Sequence, residues 1–473
     1  MKSHWRQHLP YLLLLLIGTA FLIVLSLSHH RALGTGYDLG IYDQVIWNLS
    51  HGRIWETTLV YETGGYYDHF EPILVLLTPL YWLWPDVRVL LIVQSVALAL
   101  GSLPIYLYAY VRFLDLRISL GRRSVITSSA LLAAVLAGVY LAFPAMHHAN
   151  LNDFHEVALL PPLIGFALYG LLRGQPRVLY TFLALSLMVK EDFGVTALTI
   201  SLFIIFFKPK GFTRREGVVL AALVLVWVLL VLNVFYPALT RGMSYPFVER
   251  RYAWLAATPG EALKVVVTRP WVILPPLTEP PKLMFLLRLF GPLLFLPLLG
   301  LPVIGLAFPI LIYLMLSTYQ PQWSVQSYYN PPLLPFLFFG LIAALAHIYR
   351  LAARWWTNPR WVVAGLVGAV AVSVGIAYYL DAPGPGSRVY VPDNFRVTSR
   401  VEAADEIMAQ TPDDASLSTE WPLIPHLSHR RRIYTLLARP VEPPAYLLVE
   451  PTGSRGRSRL SFRSARWLAA DLS

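Results

Sequence analysis

The sequence predicts an all-α polytopic membrane protein with about eleven transmembrane helices and a small α/β appendage at its C-terminus. Three observations predict it. Apolar residues make up 56% of the 473 positions and charged residues 14%, against roughly 45–50% and about 25% in soluble globular chains. Such a chain has too little polar surface to meet water on every side, and too much apolar surface to remain disordered. The apolar residues fall into long runs joined by short loops, and basic residues concentrate in every second loop. That alternation is the charge signature of a chain that crosses a bilayer repeatedly.

A hydrocarbon core of roughly 30 Å takes about 20 residues of helix. Runs of suitable character occupy 11–28, 88–111, 125–143, 157–172, 178–190, 194–207, 216–236, 283–299, 300–318, 331–349 and 361–380. The first follows Lys2 and Arg6 and exceeds a signal-peptide core in length, so it reads as an uncleaved helix although Ser26-Leu27-Ser28 resembles a cleavage site. With the N-terminus cytoplasmic, the inner loops hold Arg112, Arg117, Arg122 and Arg123; Arg173 and Arg177; Lys208, Lys210, Arg214 and Arg215; and Arg350, Arg354 and Arg360. Only Asp115 and Glu216 oppose them. This topology places the C-terminus outside a plasma membrane. Residues 1–380 form the multi-spanning domain, with outside loops at 29–87, 144–156 and 237–282. Residues 381–473 form the extracytoplasmic appendage. It opens on Asp381-Ala-Pro-Gly-Pro-Gly386, a linker by composition. A helix at 398–410 and strand-like runs at Ala415–Thr419, Arg432–Leu436 and Ala445–Glu450 follow, and the basic Thr452–Arg466 stretch reads as a surface tail.

The unusual polar residues cluster in the outside loops. Tyr37-Asp38-Leu-Gly-Ile-Tyr-Asp43-Gln44 carries two acids five positions apart. On a helix they stand about 140° apart, so one can face a cavity while the other braces the helix. Asp38 also suits the N-cap of a helix over 39–50. Tyr66-Tyr-Asp68-His69-Phe-Glu71-Pro72 precedes an apolar run, 73–84, that is too short to cross and reads as an interfacial or re-entrant helix. His147-His148 through Asp153-Phe-His155-Glu156 holds three imidazoles and two acids in ten residues. These groups suit zinc or manganese, but their spacing matches no tight helical ligand motif, and a hydrogen-bonded cavity wall is the better reading. Lys190-Glu191-Asp192 joins two short apolar runs. Charges at membrane depth are paired or functional; here they form an internal pair, or Lys190 reaches a ligand's phosphate. Arg250-Arg251 suits phosphate oxygens and anionic headgroups equally. Thr258-Pro-Gly-Glu261 opens an amphipathic helix over 261–268. Gln326-Ser-Tyr328-Tyr329-Asn330 is an aromatic polar patch, and tyrosines at an interface also serve as anchors.

Several function classes are excluded or disfavoured. Without cysteine there are no disulfides, thiolate nucleophiles or cysteine-held metals. No Walker loop, dinucleotide fingerprint, His-Glu-x-x-His helix or Gly-x-Ser-x-Gly elbow occurs. Basic residues scattered over short loops do not make a nucleic-acid surface.

Tyr37–Gln44 with Trp47-Asn48, Asp68–Ile73, Asn152–Glu156, Lys190–Asp192 and Pro425-His-Leu-Ser-His-Arg430 with Ile433-Tyr434 together resemble a polytopic membrane family known as domain of unknown function 2079. This chain departs from it in carrying Glu71 where serine is usual, and in lacking a proline after His155. That family in turn resembles the GT-C superfamily, which includes the aminoarabinose and protein mannosyl transferases. The resemblance implies a GT-C-like architecture and an inverting glycosyltransferase. The donor would be a polyprenyl-phosphate-linked sugar, and the acceptor an envelope lipid, glycan or protein at the outer face of the bilayer. Asp38 stands where the superfamily's catalytic acid would be, with Asp43 the second candidate catalytic acid. The candidate substrate contacts are His69, Glu71, Asp153, His155, Glu156, Lys190, Glu191, Asp192, Arg250, Arg251 and Tyr328. The resemblance fixes no cofactor and leaves a divalent metal open. A transporter or flippase coupled through residues 190–192, or a non-catalytic envelope scaffold, are the alternatives. The glycosyltransferase reading expects 38, 69, 155 and 190 to converge on one cavity within roughly 10–15 Å.

Overall fold

A computed structural model describes residues 5–60, 69–242, 247–436, 438, 443–449 and 461–464. The Tyr66–Asp68 part of the second motif and the basic Thr452–Arg466 stretch, apart from 461–464, lie outside the described residues.

Helix α1 spans Leu9–Arg31. Helix α2 (Tyr37–Ser50) follows it directly, and the short apolar α3 covers Pro72–Leu83. Then come α4 (Arg88–Asp115), α5 (Val125–Leu141) with α6 (Pro144–Leu151) bent from it by 47°, and α7 (Glu156–Arg173). The next are α8 (Pro176–Leu187), α9 (Gly194–Phe207) and α10 (Arg214–Leu239). Local chemistry sets several ends. Gly174 takes the left-handed conformation (φ 67°) that closes α7, and a capping box between Thr213 and Glu216 opens α10. The amphipathic α11 (Pro259–Thr268) is capped by Thr258, whose hydroxyl accepts from the Glu261 N–H, as its sequence predicts.

Six helices are long and apolar enough to cross a membrane, or seven if the bent α5–α6 pair is one span. Four of the eleven expected spans fall instead on shorter or broken helices: α8, α9, α12 (Pro280–Phe290) and α13 (Leu301–Leu316). Proline and glycine explain the interruptions at α12 and α13. Between 291 and 309 the chain carries Gly291, Pro292, Pro297, Gly300, Pro302 and Pro309, and Leu294 and Phe295 adopt left-handed φ values of 55° and 56°. Each proline removes a helical N–H and collides with the preceding turn.

Helix α14 (Pro331–Ala352) is the hub, with 78% of its apolar stretch buried, against 22% for α1 and 11% for α10. The outward faces of α1 (Leu12, Leu13, Leu16, Ile17) and α10 (Val218, Leu223, Val226, Leu229) remain bare, as suits helices whose solvent is lipid. Helix α15 (Pro359–Asp381) leads out of the bundle.

The C-terminal appendage contains α16 (Ser399–Ala409) and a four-stranded sheet of order β2-β1-β3-β4. Strand β1 (Leu417–Thr419) pairs in parallel with β2 (Ile433–Thr435) and β3 (Tyr446–Val449), and β4 (Ser461–Ser464) adds antiparallel to β3. The appendage packs on α2. A Cβ on Gly40 would collide with Ile424. Gln44 Nε2 donates to the Arg430 carbonyl at 2.9 Å, and Thr58 Oγ1 to that of Ile433 at 2.7 Å.

Candidate active site

Helix α2 begins on Gly36, which offers its helix no side-chain cap. The cap arrives from another part of the chain. Asp153 accepts the Gly36 N–H at 2.8 Å on Oδ1 and the Leu39 N–H at 3.1 Å on Oδ2. These are among the orphan donors of a helix start, and a negative charge there also suits the helix dipole. Asp38 is therefore not the cap; it is left for another task. Two residues after Asp153, His155 Nε2 meets Asp38 Oδ2 at 3.2 Å. One residue further, Glu156 accepts a short hydrogen bond from Tyr42, four positions after Asp38 on the same helix face. Glu156 also receives Lys190 Nζ at 2.5 Å. The Asp153–Glu156 stretch thus fixes the start of α2, its acid and the lysine.

These groups surround a cavity of about 360 Å³. Asp38, His69, His155, Lys190, Arg250, Arg251 and Tyr328, all predicted from sequence, line it. Tyr37, Tyr42, Tyr319 and Tyr329 line it too; the first two and Tyr329 belong to the sequence motifs without being among the expected substrate contacts, and Tyr319 belongs to none. Tyr42 carried a signal, being one helical turn beyond Asp38. Tyr319 carried none, since nothing local ties it to the motifs. Tyr328 stacks on His155 with ring centroids 3.3 Å apart. The Arg251 guanidinium lies 5.0 Å from the Tyr319 ring centre and 5.7 Å from that of Tyr329, a cation–π shelf beside the acid.

The electrostatics are uneven. Burial opposes ionisation of Asp38, yet the hydrogen bond and charge of His155, with Lys190 and His69 behind it, hold the carboxyl below its ordinary range. Its side chain is 41% exposed, so an ionised oxygen is accessible from the cavity. Burial also works against the Lys190 ammonium, but Glu156, Glu71, Glu191 and Asp192 raise it well above the usual lysine value. Glu71, 3.6 Å from Lys190 and fully buried, is pushed up by desolvation and by the charge of Glu156. Glu191 meets His69 Nδ1 at 2.8 Å. Burial would raise Glu191, but His69 draws it down to about 2.

The other expected contacts serve the scaffold. Glu71, Glu156 and Glu191 stand behind the cavity wall and hold Lys190 and His69. Asp192 receives the Tyr313 hydroxyl at 3.0 Å. Asp43 is not among the cavity-lining residues. Fully buried, it accepts from Tyr81 and Ser428 hydroxyls, each at 2.5 Å, and from His429 Nε2 at 3.0 Å, which ties α2 to the appendage. The three imidazoles of the third motif diverge: His147 turns to the Leu141 carbonyl at 2.8 Å and His148 to that of Asp381 at 2.7 Å, leaving His155 alone in the cavity wall. His69, Glu71 and Glu191 offer ligand atoms within 4.8 Å of one another. The Lys190 ammonium already stands against Glu71 and His69 already bonds Glu191, so the group is neutralised from within.

A second, apolar cavity of about 720 Å³ runs between α8 and α10, lined among others by Leu183, Leu187, Leu223, Val224 and Trp227, with Pro72 and Met188 in its wall. Pro72 directly follows Glu71, and Met188 lies two residues before Lys190, so the groove and the polar site draw on the same two stretches of chain.

The fold is similar to that of ArnT from Cupriavidus metallidurans, a GT-C glycosyltransferase whose structure is bound to undecaprenyl phosphate. The match has a TM-score of 0.52 at 15% identity and covers 95% of this chain and 94% of that one. The chain therefore has an ArnT-like GT-C fold. No curated protein matches it. The family described as predicted membrane protein (DUF2079) matches residues 29–443, and the chain belongs to that family.

Proposed function

We propose that the protein is an inverting glycosyltransferase that moves a sugar from a polyprenyl-phosphate donor to an envelope lipid, glycan or protein acceptor at the outer face of the plasma membrane. The observation that carries this reading is the placement of an ionised carboxylate, Asp38, in one cavity with Lys190, Arg250 and Arg251. The acceptor hydroxyl attacks the sugar C1 and passes its proton to Asp38. The C1–oxygen bond to the lipid phosphate breaks, and the cations stabilise the charge that develops on the departing phosphate. General-base help of this kind is worth roughly 10²–10⁴-fold. The apolar groove between α8 and α10 supports the reading, since an isoprenoid chain needs an apolar path and this groove shares two stretches of chain with the polar site. The topology has the N-terminus cytoplasmic and the appendage outside.

The test is transfer from a polyprenyl-phosphate sugar by purified protein in proteoliposomes. Asp38→Asn should abolish it while leaving the fold intact. Undiminished transfer by that variant would remove Asp38 from the chemistry. Accumulation of substrate inside the vesicles without a covalent product would favour a transporter instead.

A further inference from the structure

We infer that His155 stands as an imidazolium, with a proton on each ring nitrogen, and is the positioning residue of Asp38. The inference deepens the glycosyl-transfer reading and rests on it only for its effect on rate. Nδ1 lies 2.8 Å from the backbone carbonyl oxygen of Asp153. A carbonyl oxygen only accepts, so Nδ1 carries a hydrogen. Nε2 lies 3.2 Å from Asp38 Oδ2, and a carboxylate oxygen also only accepts. A neutral ring protonated on Nδ1 would set the Nε2 lone pair against an oxygen lone pair. A second proton is needed between Nε2 and Oδ2, and it resides on Nε2, because Asp38 is the carboxyl that its cationic surroundings hold ionised. The Tyr328 ring covers one face of the imidazole, with planes 12° apart, and an aromatic face attracts a cation.

The surroundings agree from every side. From α2, Asp38 faces Nε2, and Tyr42 meets the ring edge-on at 5.8 Å. From α4, Gln94 Oε1 accepts the His155 backbone N–H at 3.0 Å. The neighbouring acids are turned away: Asp153 is engaged by the α2 amides and Glu156 by Tyr42 and Lys190. From the 326–330 stretch come Tyr328 and, through its hydroxyl, Tyr329. Lys190, His69, Arg250 and Arg251 share the cavity and supply the opposing positive field. Asp38 is thus the carboxylate against which the imidazolium is balanced.

The arrangement has a consequence for the reaction. Asp38 Oδ2 is engaged, while Oδ1 has no hydrogen-bond partner among the described residues. Oδ1 is then the atom that receives the acceptor's proton as the new C1–oxygen bond forms, and the imidazolium keeps both of its protons throughout. His155 holds the carboxylate ionised and fixes which oxygen is presented.

Nitrogen-15 spectra of the full-length protein, labelled at its 12 histidines and held in lipid nanodiscs, test this directly. The expected result is that, among the doubly protonated rings at neutral pH, which include the carboxylate-paired His69 and His429, one signal is lost in His155→Gln and reverts to a singly protonated ring in Asp38→Asn. Should His155→Gln fail to fold, the Asp38→Asn change alone identifies the resonance. A singly protonated His155 beside a protonated Asp38 carboxyl in wild type would overturn the proposal. In the transfer assay, His155→Ala should lower kcat at least tenfold with KM little changed. The rate of wild type, but not of His155→Gln, should fall as pH rises through the loss of the doubly protonated signal. Identical pH profiles for the two would also overturn the proposal. Absence of transfer with the imidazolium signal intact would count against the glycosyltransferase reading and leave this one standing.

Discussion

Lys190 Nζ stands 2.5 Å from Glu156 Oε1, with the carboxylate wholly inaccessible and the amine only 10% exposed. Breaking a buried pair by removing one partner costs about 3–5 kcal/mol, because the remaining charge is stranded. Lys190→Met should therefore lower the melting temperature of the protein in nanodiscs, and Lys190→Met combined with Glu156→Leu should recover part of the loss. If the single and double variants melt together, the pair is not a structural unit. The pH dependence follows from the raised lysine value. A raised amine contributes its stabilisation fully below its unfolded value of about 10.4, and loses it only as pH climbs through the higher folded value. The pair should hold across the neutral range.

The Asp153 cap makes a second prediction. Replacing a capping side chain costs about 0.5–2 kcal/mol of stability. Asp153→Ala should therefore be folded and only modestly less stable. Transfer should suffer far more, because the first turn of α2 carries Asp38, and a displacement of about 1 Å can cost about 10²-fold in rate. Comparing melting temperature with kcat/KM separates the two effects. Parallel, modest losses in both would show that the cap does nothing for the site.

The membrane class was legible because the hydrophobic effect acts on composition and run length, which sequence displays directly. The helix expected over 261–268 and three strands of the appendage were legible because their caps and patterns are local; the start of α2 was not, since its cap is Asp153 and not the expected Asp38. Six or seven helices of spanning length stand against the eleven expected spans, and proline and glycine between 291 and 309 shorten two of the other four. Asp38, His69, His155 and Lys190 were legible as a group because polar residues next to apolar runs stand out. What separated cavity-facing groups from supporting ones was not. Glu156 and His155 are adjacent, yet one holds a lysine behind the wall and the other faces the cavity. That choice depends on where α2 and residue 190 lie in space.

Asp43 and His429 lead to a third prediction. Burial works against the His429 imidazolium, but the Asp43 carboxylate outweighs it and raises the histidine above its ordinary value. The contact's extra stability is fully present below about pH 6.5 and is lost as pH rises through the higher folded value. The appendage should be harder to release by limited proteolysis at mildly acidic than at alkaline pH. His429→Gln should flatten that dependence, and Asp43→Asn should remove it and loosen the appendage at every pH. A dependence unchanged in His429→Gln would place the titrating group elsewhere.

Arg251 supplies the last test, because its guanidinium is held over Tyr319 and Tyr329 in the same cavity as Lys190. A planar cation braced by two rings loses little freedom when it binds phosphate oxygens. If the chain takes a polyprenyl phosphate donor as proposed, Arg251→Ala should weaken undecaprenyl phosphate binding by about tenfold, equivalent to about 1.4 kcal/mol. Arg251→Lys should fall between, since it keeps the charge but neither the fork nor the stacking. Tyr319→Leu should weaken binding less than Arg251→Ala, by releasing the side chain rather than removing it. Titrating undecaprenyl phosphate into protein in detergent micelles measures all three. Equal affinity across wild type, Arg251→Ala and Arg251→Lys would mean that the phosphate is held by Lys190 and Arg250 without this shelf.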